Sequence, residues 1–232
     1  MNSILAIITA RGGSKRIPRK NIKDFCGKPI IAYPINLALE SKIFHNVIVS
    51  TDDLEIKKIS ENYGAEVPFL RSAKTSDDFA TTSDVLVEVL NTYENQLGKK
   101  FDFACCIYPT SPLLKQEYLV KALDLLKSKD ADSVFPIIRY SSPIQRALIE
   151  NPMGFIEMIQ PENMQVRSQD LQPAFFDAGQ FYFFNVKSFL LKRKMWTERS
   201  VGLEISDLEA QDIDNESDWK IAELKYKLLF ST

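Results

Sequence analysis

Residues 4–21 read ILAIITARGGSKRIPRKN. The first six, ILAIIT, form an unbroken apolar run rich in isoleucine. A strand with one wet face would alternate, so this pattern predicts a strand buried on both faces, as in a parallel sheet covered by helices. The run passes directly into a basic, glycine-containing loop. Residues 11–28 carry seven basic side chains (Arg11, Lys15, Arg16, Arg19, Lys20, Lys23, Lys28) against one acid, Asp24, in a chain whose net charge is −2. In open α/β sheets, ligands bind beyond the carboxyl ends of the strands, which is where this loop would stand. Gly12 and Gly13 let backbone approach a phosphate and offer N–H groups to it. Arg11, Lys15 and Lys20 can neutralise a triphosphate and a departing pyrophosphate. Charge and glycine alone also fit a solvated basic loop. The patterns GxxxxGK[ST] and GxGxxG are absent, which argues against a P-loop nucleotidase and a dinucleotide fold.

Further along the chain, strand and helix signals alternate. PIIAYPINLALES (29–41) reads as a helix with Pro34 near its start. VIVST (47–51) is a second strand, residues 53–63 a helix closed by Gly64, and AEVPFL (65–70) a short third strand. After a polar loop, Val85, Leu86, Val89, Leu90, Tyr93 and Leu97 recur at helical spacing. FACCIY (103–108) and SVFPII (133–138) are further strands, separated by a helix near 115–128. This order predicts an α/β, Rossmann-like, doubly wound and mostly parallel sheet in one domain, 1–232. The rhythm breaks over 139–176, read as an inserted hairpin or lid. AGQFYFF (178–184) resumes the sheet. A final helix begins after Asn215, which can cap it, with Asp218 three residues on and Trp219, Ala222, Tyr226 and Leu229 as its inward stripe.

The 232 residues suit one such domain, and the near-neutral charge argues against bulk nucleic-acid binding. No apolar run is long enough to span a bilayer. No basic stretch with a cleavage site opens the chain, so a cytoplasmic protein is expected. Cys26, Cys105 and Cys106 are odd in number and include an adjacent pair, which argues against a disulfide framework. His45 is the sole histidine and is expected to cap a helix or face solvent.

Residues 206–218 hold six acids (Asp207, Glu209, Asp212, Asp214, Glu216, Asp218) and no base. In extended chain, residues two apart point the same way, so Asp212 and Asp214 can present two carboxylates to one ion. A solvated acidic loop before a helix explains the same composition.

Taken together, ITARGGSKRIPRKN (8–21), VIVSTDD (47–53), SDDFATT (76–82), YPTSPL (108–113) and DIDNESDW (212–219) resemble the sialic acid and 3-deoxy-octulosonate cytidylyltransferases. RIPRKNIKDFCGKPIIAYPI (16–35), GAEVPFLR (64–71), SPIQRAL (142–148), RSQDL (167–171) and FDAGQFYF (176–183) are similar to the branch that activates pseudaminic acid, a nonulosonic acid used on surface glycans and flagellin. The resemblance implies transfer of CMP from CTP to the sugar's anomeric hydroxyl, with Mg2+ on Asp212 and Asp214. It implies Lys20 and Arg11 as catalytic cations. Arg11, Gly12, Gly13, Ser14, Lys15, Asn21 and either Thr82 or Ser83 would bind the nucleotide. Gln145, Arg146, Arg167, Asp177 and Gln180 would bind the sugar, and the 139–176 insert would support a homodimer. Tyr108 departs from the sialic acid enzymes, which carry glutamine before PTSPL. Legionaminic, sialic or octulosonic acid remain alternative substrates, and a non-catalytic sugar-nucleotide-binding protein is the alternative of another class.

Overall fold

The computed structural model describes residues 3–77 and 79–230. In chain order the elements are β1 (Ile4–Thr9), a tight hairpin of β2 (Asp24–Phe25) and β3 (Lys28–Pro29), α1 (Ala32–Ser41), β4 (Asn46–Ser50) and α2 (Leu54–Asn62). Then come the single turn α3 (Ala73–Ser76), α4 (Thr82–Leu97), β5 (Phe103–Ile107), α5 (Gln116–Ser128) and β6 (Ser133–Arg139). A second hairpin, β7 (Leu148–Glu150) and β8 (Ile156–Met158), is followed by β9 (Phe175–Asp177) and β10 (Phe181–Asn185). The chain finishes with α6 (Val186–Lys192), β11 (Ser200–Glu204) and α7 (Glu216–Phe230).

The main sheet runs β11-β6-β10-β5-β1-β4, with β9 also on β6. β1 lies one strand in from β4 at the end of that order, parallel to both β4 and β5. Its apolar run is explained by two cores. Ile4, Ala6 and Ile8 face one side, with α1, α5 and Ile56 of α2. Leu5 and Ile7 face the other, with Leu86, Val89, Leu90 and Tyr93 of α4. Burying each such isoleucine or leucine contributes about 1.5–3 kcal/mol relative to exposure. Cys105 and Cys106 are fully buried on opposite faces of β5 and act as small apolar fillers.

The α/β architecture is as the sequence implies, but the sheet is mixed rather than mostly parallel. β10 is antiparallel to β5 and β6, and β9 is antiparallel to β6. The cause is the insert. The chain leaves the carboxyl end of β6, forms the β7–β8 hairpin, and must come back down beside β6. β9 and β10 are the two halves of that descent. They are broken at Ala178–Gln180, opposite Pro136, which has no N–H to give the ladder; the Ala178 N–H still donates to Pro136 O at 3.0 Å. The expected strand 65–70 reduces to a bridge between Ile48 and Glu66. There Glu66 exchanges two backbone bonds with Val47 and Val49, and Pro68 cannot extend the ladder. α6 and β11 carry no strong sequence signal and were not foreseen. His45 is exposed, as expected, and its Nδ1 also accepts the first N–H of β1, from Ile4, at 3.1 Å.

Candidate active site

The loop after β1 is held by the turn after β4, and the STDD sequence (50–53) explains how. Asp52 Oδ1 accepts the Gly12 N–H at 3.0 Å. Asp53 caps α2, accepting from the Glu55 and Ile56 N–H groups at 2.9 and 3.0 Å. The same carboxylate takes two bonds from the Arg19 guanidinium, at 2.5 and 3.0 Å, and Arg19 also reaches Glu55. Arg19 thereby sits at a positive φ of 54°, a left-handed backbone that costs about 1–2 kcal/mol outside glycine. The Arg19 contact holds the Asp53 carboxyl down at about 2. Asn21 is buried and its Nδ2 donates to Arg11 O at 2.9 Å, closing the loop on itself.

The seven cations of this loop divide by task. Arg19 pins the loop, Lys23 pairs with Glu216 over the Trp219 ring, and Lys28 lies over Tyr33. Arg11, Lys15, Arg16 and Lys20 remain, and all four line one cleft of about 470 Å3 together with Thr9, Ser14, Asn21, Tyr108, Pro109, Thr110, Asp212 and Asp214. Residues from near the two ends of the chain therefore face each other across it.

The acidic side is set by alternation in an irregular segment. Ile213 is fully buried among Ile17, Phe25, Ile30 and Trp219. Its two neighbours, Asp212 and Asp214, consequently point away from that core into the cleft. Arg16 pairs with Asp214 at 2.7 Å, and Lys20 Nζ donates to Ile213 O at 2.7 Å. Partial burial, then the Asp214 charge, raise the Asp212 pKa. Burial lowers that of Lys20, against the pull of Asp214 and Asp212. Among the described residues no group of three or more His, Cys, Asp or Glu side chains is placed to hold a metal unaided. Two adjacent carboxylates in mutual repulsion, with cations opposite, instead suit an ion that draws its other ligands from water and phosphate oxygens. Downstream, Asn215 Oδ1 accepts from the Ser217 and Asp218 N–H groups, and Asp218 accepts from Asp214 and Asn215, capping α7 as the sequence suggests.

A side chamber opens from the cleft past Thr9 and Arg11 and is lined by Arg71, Thr75, Asp77, Ala80, Thr82 and Val85. The N-cap of α4 is Thr81, in a reciprocal capping box with Asp84, which leaves Thr82 to the chamber. Ser83 lines a different surface depression with Asp84 and Glu88. Tyr108 stands between cleft and chamber. Its hydroxyl interacts with those of Tyr182 and Thr82, its pKa is raised by burial, and its N–H donates to Gln180 O at 2.8 Å.

Several expected positions differ. The Gly12 N–H is engaged by Asp52 and is not presented to a phosphate; a Cβ there would meet Asp53 Oδ2 at 2.6 Å, so packing is what requires glycine. Above Gly13 there is open space. Of the sugar set, Arg146 is consumed within the insert, donating to Asn163 O, Ser168 Oγ and Val166 O. Gln145 donates to Gln172 O at 2.8 Å. Arg167 is exposed and lies outside the cleft. Gln180 is 2% exposed and donates to Glu209 O at 2.6 Å. Asp177 accepts from Tyr182 and from the Gly179 N–H, in a turn that abuts Asp212. Asp52, Asp53, Arg19 and Arg71 were missed as site builders. The signal available for them was the DD pair directly after a buried strand, a position where helix caps recur.

The architecture is an α/β nucleotidyltransferase fold, with a cationic loop facing a carboxylate pair across one cleft. The chain belongs to the cytidylyltransferase family, whose model matches residues 5–201. It is 39% identical to a pseudaminic acid cytidylyltransferase of Campylobacter jejuni, over 97% of this chain and 96% of that one. It is 30% identical to the CMP-N,N'-diacetyllegionaminic acid synthase of Legionella pneumophila, over 95% and 94%. Among solved structures, that of CMP:2-keto-3-deoxy-manno-octonic acid synthetase complexed with CTP superposes with a TM-score of 0.68 at 16% identity, covering 96% of this chain and 97% of that one.

Proposed function

We propose that the protein transfers CMP from CTP to the anomeric hydroxyl of a nonulosonic acid, pseudaminic acid, with release of pyrophosphate. The observation that carries the reading is the single cleft in which Arg11, Lys15 and Lys20 oppose Asp212 and Asp214. The 39% identity to a pseudaminic acid enzyme over nearly the whole chain favours that sugar over legionaminic acid, at 30%.

In this reading the triphosphate lies along the loop. Arg11, Lys15 and Lys20 hold its oxygens and offset the charge that gathers on pyrophosphate as it leaves. Ser14 and the open face of Gly13 border the phosphates. Asn21 and Thr82 orient the cytidine and ribose, with Tyr108 as the wall between base and sugar. Asp212 and Asp214 would hold Mg2+, which supplies charge neutralisation at the α-phosphate and acidifies the attacking hydroxyl. Most of the rate then comes from alignment of hydroxyl and α-phosphorus. Asp177 and the Gly179 turn border the sugar side beside Asp212. The insert exposes Leu148, Ile149, Met153, Phe155 and Ile156, apolar surface suited to a second copy of the chain in a homodimer. No helix among the described residues is long and apolar enough to cross a membrane, and a CTP-consuming enzyme of this kind would work in the cytoplasm.

The test is incubation with CTP, Mg2+ and a panel of pseudaminic, legionaminic, sialic and octulosonic acids, with mass identification of the CMP-sugar. CMP-pseudaminic acid as the main product supports the reading. A different CMP-sugar overturns the specificity, and absence of pyrophosphate release with every acid overturns the activity.

A further inference from the structure

Asp212 and Asp214 sit on a segment without regular structure, Ala210–Asp214, between a 3-10 turn at Asp207–Glu209 and the start of α7. Such a segment needs to be fixed at both ends to present two carboxylates. The downstream end is fixed by buried Ile213 and the α7 cap. At the upstream end stands Glu209, an acid that composition alone would leave in solvent. Its side chain is only 13% exposed. One carboxylate oxygen accepts from Lys115 Nζ and the other from the Tyr118 hydroxyl, the N-cap of α5 and a residue of its first turn. Its backbone is tied as well, the carbonyl accepting from Gln180 Nε2 at 2.6 Å and the N–H donating to Ser206 O at 2.9 Å. Lys225 adds bonds to Asp207 O and Ala210 O, both at 2.8 Å. Lys115 follows directly on Tyr108–Leu114, whose first three residues line the cleft. The Glu209 carboxylate thus joins the wall of the cleft at Tyr108–Thr110 to the segment that carries the acid pair.

We infer that Glu209 is a positioning residue for the reaction: through Lys115 and Tyr118 it sets where Asp212 and Asp214 stand relative to the cleft wall. The inference rests on the reading of that pair as cation ligands. A largely enclosed carboxylate with two partners is a costly way to fasten a loop, and removing one member strands the other. Its place three residues before the pair's first member is accounted for by geometry at the cation site. Groups that orient metal ligands directly are worth about 10–100-fold in affinity; Glu209 acts one step further out and is expected to be worth about five- to tenfold.

The test compares Mg2+ titrations of full-length Glu209→Gln, Asp212→Asn and Asp132→Asn, each with thermal melting. Asp132 is a partly buried carboxylate paired with Lys192 at 2.7 Å, at the opposite end of the sheet. Glu209→Gln should raise the Mg2+ concentration for half-maximal rate about five- to tenfold, with the KM for CTP at saturating Mg2+ within about twofold. Asp132→Asn should lower the melting temperature and leave the Mg2+ titration where it is. If Glu209→Gln does the same as Asp132→Asn, Glu209 is structural only and the inference is overturned. An unshifted titration in Asp212→Asn overturns the reading of the pair and the inference with it. A shift in Asp212→Asn without one in Glu209→Gln overturns the inference alone. Should Glu209→Gln fail to fold, Tyr118→Phe takes its place: a shift of about two- to threefold is expected, and no shift overturns the inference.

Discussion

Substituting Gly12 by alanine tests how the loop is built. The added Cβ would lie 2.6 Å from Asp53 Oδ2 and 3.0 Å from Asp53 Cβ. An ordinary contact needs roughly 3.4 Å or more, so the Asp53 carboxylate or the loop must move by close to about 1 Å. Asp53 has no slack to give, since it caps α2 and holds Arg19. Loss of the cap costs about 1 kcal/mol. The Arg19 contact is partly exposed, so solvent screening leaves it worth about 1 kcal/mol more. A total near 2 kcal/mol should lower the melting temperature by about 4–8 °C in a chain of this size. If the loop moves instead, Lys15 and Lys20 are displaced, and misplacement by about 1 Å can cost about 100-fold in rate. Calorimetry and steady-state pyrophosphate release on Gly12→Ala measure both. Gly13→Ala is the control for melting only, because its Cβ would meet no protein atom within 4 Å. Wild-type melting and wild-type kcat/KM in Gly12→Ala would refute the packing argument, and so would an equal fall in melting temperature in Gly13→Ala.

Thr82→Ala should raise the KM for CTP about three- to tenfold, the worth of one hydrogen bond, while Ser83→Ala, on the other side of the helix start, should change it by less than about twofold; initial-rate kinetics decide. Acid stability follows from Asp53 and Asp132, both held down at about 2, the first by Arg19 and the second by Lys192, Ser188 and Thr197 against the effect of burial. A carboxyl held below its unfolded value stabilises fully above about pH 4 and loses that contribution as pH falls toward about 2, amounting to about 1–2 kcal/mol for each group. Circular dichroism of acid unfolding should therefore show a shallower decline between pH 4 and 2 in Asp132→Asn than in wild type, from a lower stability at pH 7.

The parts of the structure visible in the sequence are those governed by local pattern. ILAIIT, FACCIY and the α4 stripe declared themselves through burial on two faces or one. That Asp212 and Asp214 point to one side was legible because extended chain alternates. What was hidden depends on contacts between distant residues. The antiparallel return of β10 follows from where the insert leaves the sheet, which no window of sequence contains. The tasks of Asp52, Asp53 and Arg19 are set by the meeting of two loops about thirty-five residues apart. The sugar set was read by resemblance, and Arg146 and Gln180 turn out to spend donors within the fold, largely on backbone carbonyls, which residue type does not reveal.

The central claim is that loop cations and the carboxylate pair grip one polyphosphate from two sides. A crystal structure with a non-hydrolysable CTP analogue and Mn2+, read by anomalous scattering, tests it most directly. The account predicts an Mn2+ peak between Asp212 and Asp214, with the triphosphate against Arg11, Lys15 and Lys20. A nucleotide bound with its phosphates away from that loop, or Mn2+ held by other carboxylates, would contradict it.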